Sequence, residues 1–161
     1  VCNGCQMLSQ LKDCIPGATH WPRFVQNRSE RFESRLLTVQ VQQSPAWLLK
    51  GLEGLYLPIV VAHGEGQTHF NNQEAVAKAE PYVALRYVDE KGVATTTYPH
   101  NPNGSLGGAT AYTSEDGRAL ILMPHPERIV KPTSLSMRPR GWKDPWSPWM
   151  RLFDNARQIV S

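Results

Sequence analysis

No uninterrupted apolar run in the 161 residues approaches the roughly 20 that a membrane-spanning helix requires. Nor does a basic stretch followed by an apolar one open the chain, as it would in a secretory signal. No membrane association is expected, and the expected compartment is the cytoplasm. Cysteine is scarce: three residues, an odd number, are too few for a disulfide framework and fit a reducing compartment where a thiol does chemistry. Neither sign of charge dominates. Seventeen Lys and Arg against 14 Asp and Glu leave a net charge of +3, but the basic residues are scattered and mixed with acids, as in Arg28-Ser29-Glu30-Arg31. That distribution argues against a nucleic-acid partner. Internal repeats and low-complexity segments are also missing. What is present is an ordinary globular composition, 40% hydrophobic and 19% charged, enough for one domain with a core.

Met7, Leu8, Leu11 and Ile15 recur at helical spacing after Gly4, and Pro16-Gly17 stops that helix. His20 to Asn27 reads as a loop. Leu37, Val39 and Val41 alternate with Thr38 and Gln40, the pattern of a half-buried strand. Ser44-Pro45 predicts a short helix over residues 46–52. The apolar, β-branched run Ile59 to Ala62 reads as a central strand covered on both sides. It ends in His63-Gly64-Glu65-Gly66, where glycines would let a ligand approach the backbone. Asn72 caps a helix over residues 73–79, and residues 83–88 and 93–97 form a hairpin around Asp89-Glu90-Lys91-Gly92. Residues 110–113 and 119–123 flank a second turn, and the latter strand runs into Pro124-His125-Pro126-Glu127. A proline-rich stretch with Trp142, Trp146 and Trp149 follows. Ser147-Pro148 starts a closing helix with Met150, Phe153, Ala156 and Val160 on one apolar face. Strands and helices interspersed in this way predict a mixed α/β fold.

The chemistry concentrates at Val1-Cys2-Asn3-Gly4-Cys5-Gln6. A thiol followed at once by a helix reads as a nucleophile elbow, a sharp turn that exposes Cys2, with Gly4 meeting the need for a small residue two places on. The helix aims free N–H groups and its positive dipole end at the sulfur, and the amide of Asn3 is the natural half of an oxyanion hole. An elbow is entered from a strand, so this reading expects the chain to be the later part of a longer protein. Far downstream, His125 and Glu127 stand two apart in extended, proline-stiffened chain. A carboxylate there can hold one imidazole nitrogen and leave the other to act as general base, giving a Cys2-His125-Glu127 triad candidate. Other readings of the same residues stay open. Cys2 and Cys5 form a C-x-x-C that suits a redox pair, or half of a zinc site completed by Cys14 and His20. Cys14 also falls on the face of Met7 and Leu11, where it reads as a small buried hydrophobe and no metal is expected. His63 reads as a core histidine or a ligand contact. Arg23, Arg28, Arg31 and Arg35 read as a wet surface or an interface, and a non-catalytic interaction domain remains a rival.

Seven ordered motifs decide among these. Cys2-Asn3-Gly4-Cys5-Gln6, Trp21-Pro22-Arg23-Phe24, Asn27-x-Ser29-x-Arg31-Phe32-Glu33, His63-Gly64-Glu65-Gly66, Ala84-Leu85-Arg86-Tyr87-Val88-Asp89, Asn101-Pro102-Asn103-Gly104-Ser105 and Met123-Pro124-His125-Pro126-Glu127-Arg128 resemble the C-terminal glutaminase domain of the phosphoribosylformylglycinamidine synthase family, its large single-chain form above all. The resemblance covers essentially the whole chain. It implies a triad-type, class I glutamine amidotransferase in which residues 1–161 are the C-terminal portion of a flavodoxin-like glutaminase domain, without its first strands. It implies Cys2 as the nucleophile that forms a glutamyl thioester, with His125 and Glu127 completing the triad. Asn3, Gln6 and the stretch His63, Gly64, Glu65 and Gly66 are where such domains hold glutamine. No cofactor is expected in this chain. ATP and magnesium would belong to the missing N-terminal synthetase domains, which use the ammonia to convert formylglycinamide ribonucleotide into its amidine. The upstream half of the glutaminase domain would supply the other oxyanion donor.

Overall fold

A computed structural model describes residues 1–135 and 142–160. The described residues form seven strands and three α-helices: α1 (Asn3–Gln10), β1 (Arg23–Val25), β2 (Glu33–Val41), β3 (Tyr56–His63), β4 (Gln67–His69), α2 (Gln73–Ala79), β5 (Val83–Tyr87), β6 (Ala109–Thr113), β7 (Leu120–Leu122) and α3 (Arg151–Val160). The mixed α/β reading holds. Five strands make one sheet in the order β3-β2-β5-β6-β7, and β1 pairs β4 in a separate ribbon. Every pairing among these strands is antiparallel.

The sheet carries apolar packing on both faces because side chains alternate along a strand. In β6 and β7, Ala111 and Leu122 join a core with Val39, Ile59, Leu85, Tyr87 and Trp149. Their neighbours Tyr112 and Ile121 join a second core with Cys5, Trp21, Phe24 and Met123. Helix α1 lies over this second core, and α3 packs at the first through Leu152.

Several expectations are corrected. The run Ile59 to Ala62 lies in an edge strand, not a central one, with Val60 and Ala62 partly exposed. The edge that β2 leaves free is nevertheless capped. Pro58, Val60 and Ala62 point their carbonyls outward, and these accept from Trp149 Nε1 at 2.8 Å, from the His125 amide at 2.7 Å and from Cys2 Sγ at 3.8 Å. The stretch 20–27 contains β1 instead of being all loop, since Phe24 packs into the second core while Arg23 pairs with His69. The expected helix over 46–52 shrinks to a 3₁₀ turn at Trp47–Leu49. Ala46 is non-helical there, and the Trp47 amide is taken by Gly117 O. Residues 93–97 form a bridge from Ala94 to Val88 rather than a strand, although the turn over 89–92 closes through Asp89.

Two helix faces also differ. In α1 the buried side chains are Cys5 and Ser9, while Met7 and Leu11 are exposed. Cys14 sits exposed in a following 3₁₀ turn, so it is not the buried hydrophobe expected. In α3, Phe153 is exposed and Asn155 is buried, because the Asn155 amide donates to Leu48 O and Lys50 O, both at 2.9 Å. The other local signals stand. Asn72 Oδ1 accepts from the Ala75 amide and caps α2, Ser147 Oγ accepts from the Trp149 amide, and β6 and β7 flank the turn at Ser114–Gly117.

Candidate active site

Cys2 precedes α1 with φ 50° and ψ −114°. Cys2 and Glu30 are the non-glycine residues with positive φ among those described. A side-chain-bearing residue in that region costs of order 1–3 kcal/mol and persists where its surroundings hold it. Here the Cys2 amide donates to Leu122 O at 3.0 Å and its carbonyl accepts from the Gln6 amide at 3.0 Å. The turn is thus pinned between the end of β7 and the first turn of α1. The reason given for Gly4 is corrected: a Cβ there would meet nothing within 4 Å, so no steric limit forces glycine at that position. The Asn3 N–H has no acceptor among the described residues.

His125 arrives from β7 by a different route. Its amide bonds Val60 O, so its backbone forms a bridge to β3 two residues before the carbonyl that meets Cys2 Sγ. Residues two apart on a strand are about 7 Å apart and face the same way, which brings the sulfur and the imidazole to one stretch of one edge. Glu127 Oε1 accepts from His125 Nδ1 at 2.6 Å, and Pro124 and Pro126 flank the pair. With Nδ1 engaged, the other nitrogen Nε2 is buried and has no partner among the described residues. That is the tautomer arrangement a general base requires.

The stretch His63 to Gly66 lies beside this pair. The His63 ring is buried with Nδ1 3.3 Å from Asn27 Oδ1, and its Nε2 has no partner. Burial, with the nearby His125 adding to it, lowers its pKa to about 4. Gly66 is fixed by sterics, because an added Cβ would overlap the His63 ring. Asn27 ties the loop from one side: Oδ1 accepts from the Gly66 amide at 2.9 Å, and Nδ2 donates to His63 O at 2.8 Å and Arg31 O at 2.9 Å. Asn103 Nδ2 ties it from the other, donating to Gly66 O at 2.8 Å. Gln6 Nε2 reaches Glu65 O at 2.6 Å, joining α1 to the same loop. Asn3, Gln6 and the four loop residues therefore gather around the Cys2 turn. Asn27 and Asn103 were not among the expected site residues. Their signal was their place within two of the ordered motifs.

The alternative uses of the cysteines are not assembled. Cys5 is fully buried, and burial pushes its thiol well above the usual range. Its neighbours are apolar core residues. The His20 ring stacks on Tyr82 at 4.1 Å and bonds Thr113 O at 2.9 Å. No group of three His, Cys, Asp or Glu able to hold a metal ion occurs among the described residues.

A pinned thiol at a helix start, a carboxylate-held imidazole on the same strand edge and a glycine-bearing loop beside them match one class of enzyme in particular. Residues 1–160 match the CobB/CobQ-like glutamine amidotransferase domain family, and the chain belongs to it. Its fold is also similar to a solved structure of PurLQS from Thermotoga maritima, with a TM-score of 0.60 and 23% identity over 87% of this chain. The chain spans about half, 53%, of the length of that relative. That likeness is one of fold, and the strand pairings among the described residues are antiparallel.

Proposed function

We propose that this chain is the C-terminal portion of a glutaminase domain that hydrolyses glutamine through a cysteinyl thioester and supplies ammonia to a synthetase in purine biosynthesis. The observation that carries the reading is the pairing of His125 with Glu127 on the strand edge that also receives Cys2. Cys2 Sγ attacks the side-chain amide carbon of glutamine as His125 Nε2 takes the thiol proton. The C–N bond then breaks, the proton passes to the leaving nitrogen, and ammonia departs from the thioester. Water attacks next, with His125 as base, to release glutamate and restore the thiol. Glu127 holds the imidazole in the productive tautomer and stabilises its charged form. The Asn3 N–H faces the developing oxyanion, a contact worth about 10²–10³ in rate where such donors are removed.

Glutamine is held by Gln6 and by the backbone of His63 to Gly66. This chemistry takes no cofactor from the chain. ATP and magnesium serve the synthetase, which makes the amidine of formylglycinamide ribonucleotide, and the whole is a cytoplasmic ligase. The described residues include no helix long and apolar enough to cross a membrane.

The test uses the intact protein that carries these residues. Cys2→Ala should abolish covalent labelling by an electrophilic glutamine analogue, and His125→Ala should lower glutamate release by at least about 10²-fold. Full labelling without Cys2, or unchanged turnover without His125, would overturn the assignment.

A further inference from the structure

A cleft of about 440 Å³ lies between the segment Arg28 to Glu33 and the segment Thr96 to Gly104. Its floor is closed by charge: buried Glu33 pairs with Arg35, whose guanidinium also donates to Tyr98 Oη at 2.7 Å and covers the Tyr98 ring at 4.8 Å. Its rim is open by charge. Arg28 and Arg31 both line it, and neither has a carboxylate partner among the described residues. Between them the Ser29 hydroxyl is buried without a partner among the described residues. Tyr98 lines the cleft and stands 56% exposed. Unpaired arginines beside an exposed tyrosine are the composition of a protein-binding surface rather than of ordinary wet surface.

The same segment is fastened to the glutamine loop. Arg31 O accepts from Asn27 Nδ2, and the Arg28 amide donates to Asn103 O at 3.1 Å. Asn27 holds the amide of Gly66, and Asn103 holds its carbonyl together with Ser105 Oγ at 3.4 Å. A group seated between the two arginines would therefore act on the backbone that borders the loop proposed to hold glutamine.

We propose that this cleft docks an acidic side chain presented by the synthetase component, and that its occupancy sets the position of the His63 to Gly66 loop. The proposal rests on the glutaminase reading above. Excess positive charge at the rim selects an Asp or Glu, and the Tyr98 ring provides apolar contact beside it. Among the described residues neither arginine side chain has a hydrogen-bond or ion-pair partner, so exchanging them breaks no polar contact seen here.

In the intact protein, wild type is compared with the double variant Arg28→Glu/Arg31→Glu and with the double lysine variant. Synthesis fed by added ammonia should stay within about twofold, and the far-UV circular dichroism should match wild type, showing both parts folded. Synthesis fed by glutamine should fall about tenfold or more in the glutamate variant, as charge reversal at a paired interface does, and much less in the lysine variant. Unchanged glutamine-fed synthesis, or equal losses in both variants, would overturn the proposal. So would a wild-type response to millimolar inorganic phosphate that the glutamate variant lacks, since that would assign the cleft to a free anion. Wild-type protein that releases no glutamate from glutamine would instead overturn the glutaminase reading itself.

Discussion

At His63 two physical causes act in the same direction. Burial disfavours the charged imidazolium, and the neighbouring His125 adds to the penalty, so the folded pKa is about 4 against an ordinary value of 6.5. The unfolded chain therefore binds the proton more readily between those values, and stability rises with pH across the window. The contribution is fully present above about pH 6.5 and is lost as pH falls toward 4. A shift of this size corresponds to about 3 kcal/mol. We expect the unfolding free energy, followed by urea denaturation, to fall more steeply between pH 6.5 and 4 in wild type than in His63→Gln. Parallel slopes would show that His63 is not the titrating group. Sequence pattern could place His63 at a strand end before glycines, but its two meanings, core residue and ligand contact, could not be separated there. The structure shows why: the ring is a buried packing element against Gly66, while its own backbone carbonyl is one of the points by which Asn27 ties the loop.

At the scale of elements, the site is a strand end and a loop held in register by side chains from elsewhere. Asn27 is the clearest case, because one buried amide group satisfies His63 O, Arg31 O and the Gly66 amide. Leaving such groups unpaired costs about 1–3 kcal/mol. Asn27→Ala should lower stability by about that amount and raise the KM for glutamine about tenfold, with a smaller effect on kcat. Asn27→Asp, which keeps the acceptor for Gly66 and loses the donor, should fall between. A stability loss with unchanged KM would separate the loop from substrate binding. Element types were readable where a local device decides them: the Asn72 cap, the Ser147 cap and the turn at Ser114–Gly117. Position in the sheet was not, because the continuous apolar run Ile59 to Ala62 reads as burial on both faces, whereas Val60 and Ala62 are only partly buried on an edge strand. Pro58 was the available clue. It has no N–H to give to a neighbour, and proline inside a strand belongs at an edge. The faces of α1 and α3 were misjudged for a related reason. Apolar spacing says that a helix has a face, but remote partners choose it, and Asn155 is turned inward by two carbonyls more than 100 residues upstream.

Across the whole molecule, the free edge of β3 joins the two ends of the chain. Near its far end Ala62 O meets Cys2 Sγ, in the middle Val60 O holds His125, and near its start Pro58 O accepts from Trp149, which is buried in the core that β3 helps to form. The strand should therefore transmit a defect at Trp149 to the paired thiol and imidazole, whereas the Asn155 bonds hold α3 to the turn at Trp47–Leu49 and lie off that line. Trp149→Ala removes a large buried side chain and releases Pro58 O, and should cost about 3–5 kcal/mol. Asn155→Ala leaves two carbonyls short of a donor, and should cost about 1–3 kcal/mol. The difference that matters is in activity well below the melting temperature of each variant. In the intact protein Trp149→Ala should lower kcat for glutamine hydrolysis several-fold, because β3 loses one of its three anchors, while Asn155→Ala should leave kcat near the wild-type value. Equal kcat in the two variants, both measured fully folded, would show that the edge of β3 positions its residues one by one and that the far end of the chain serves stability alone.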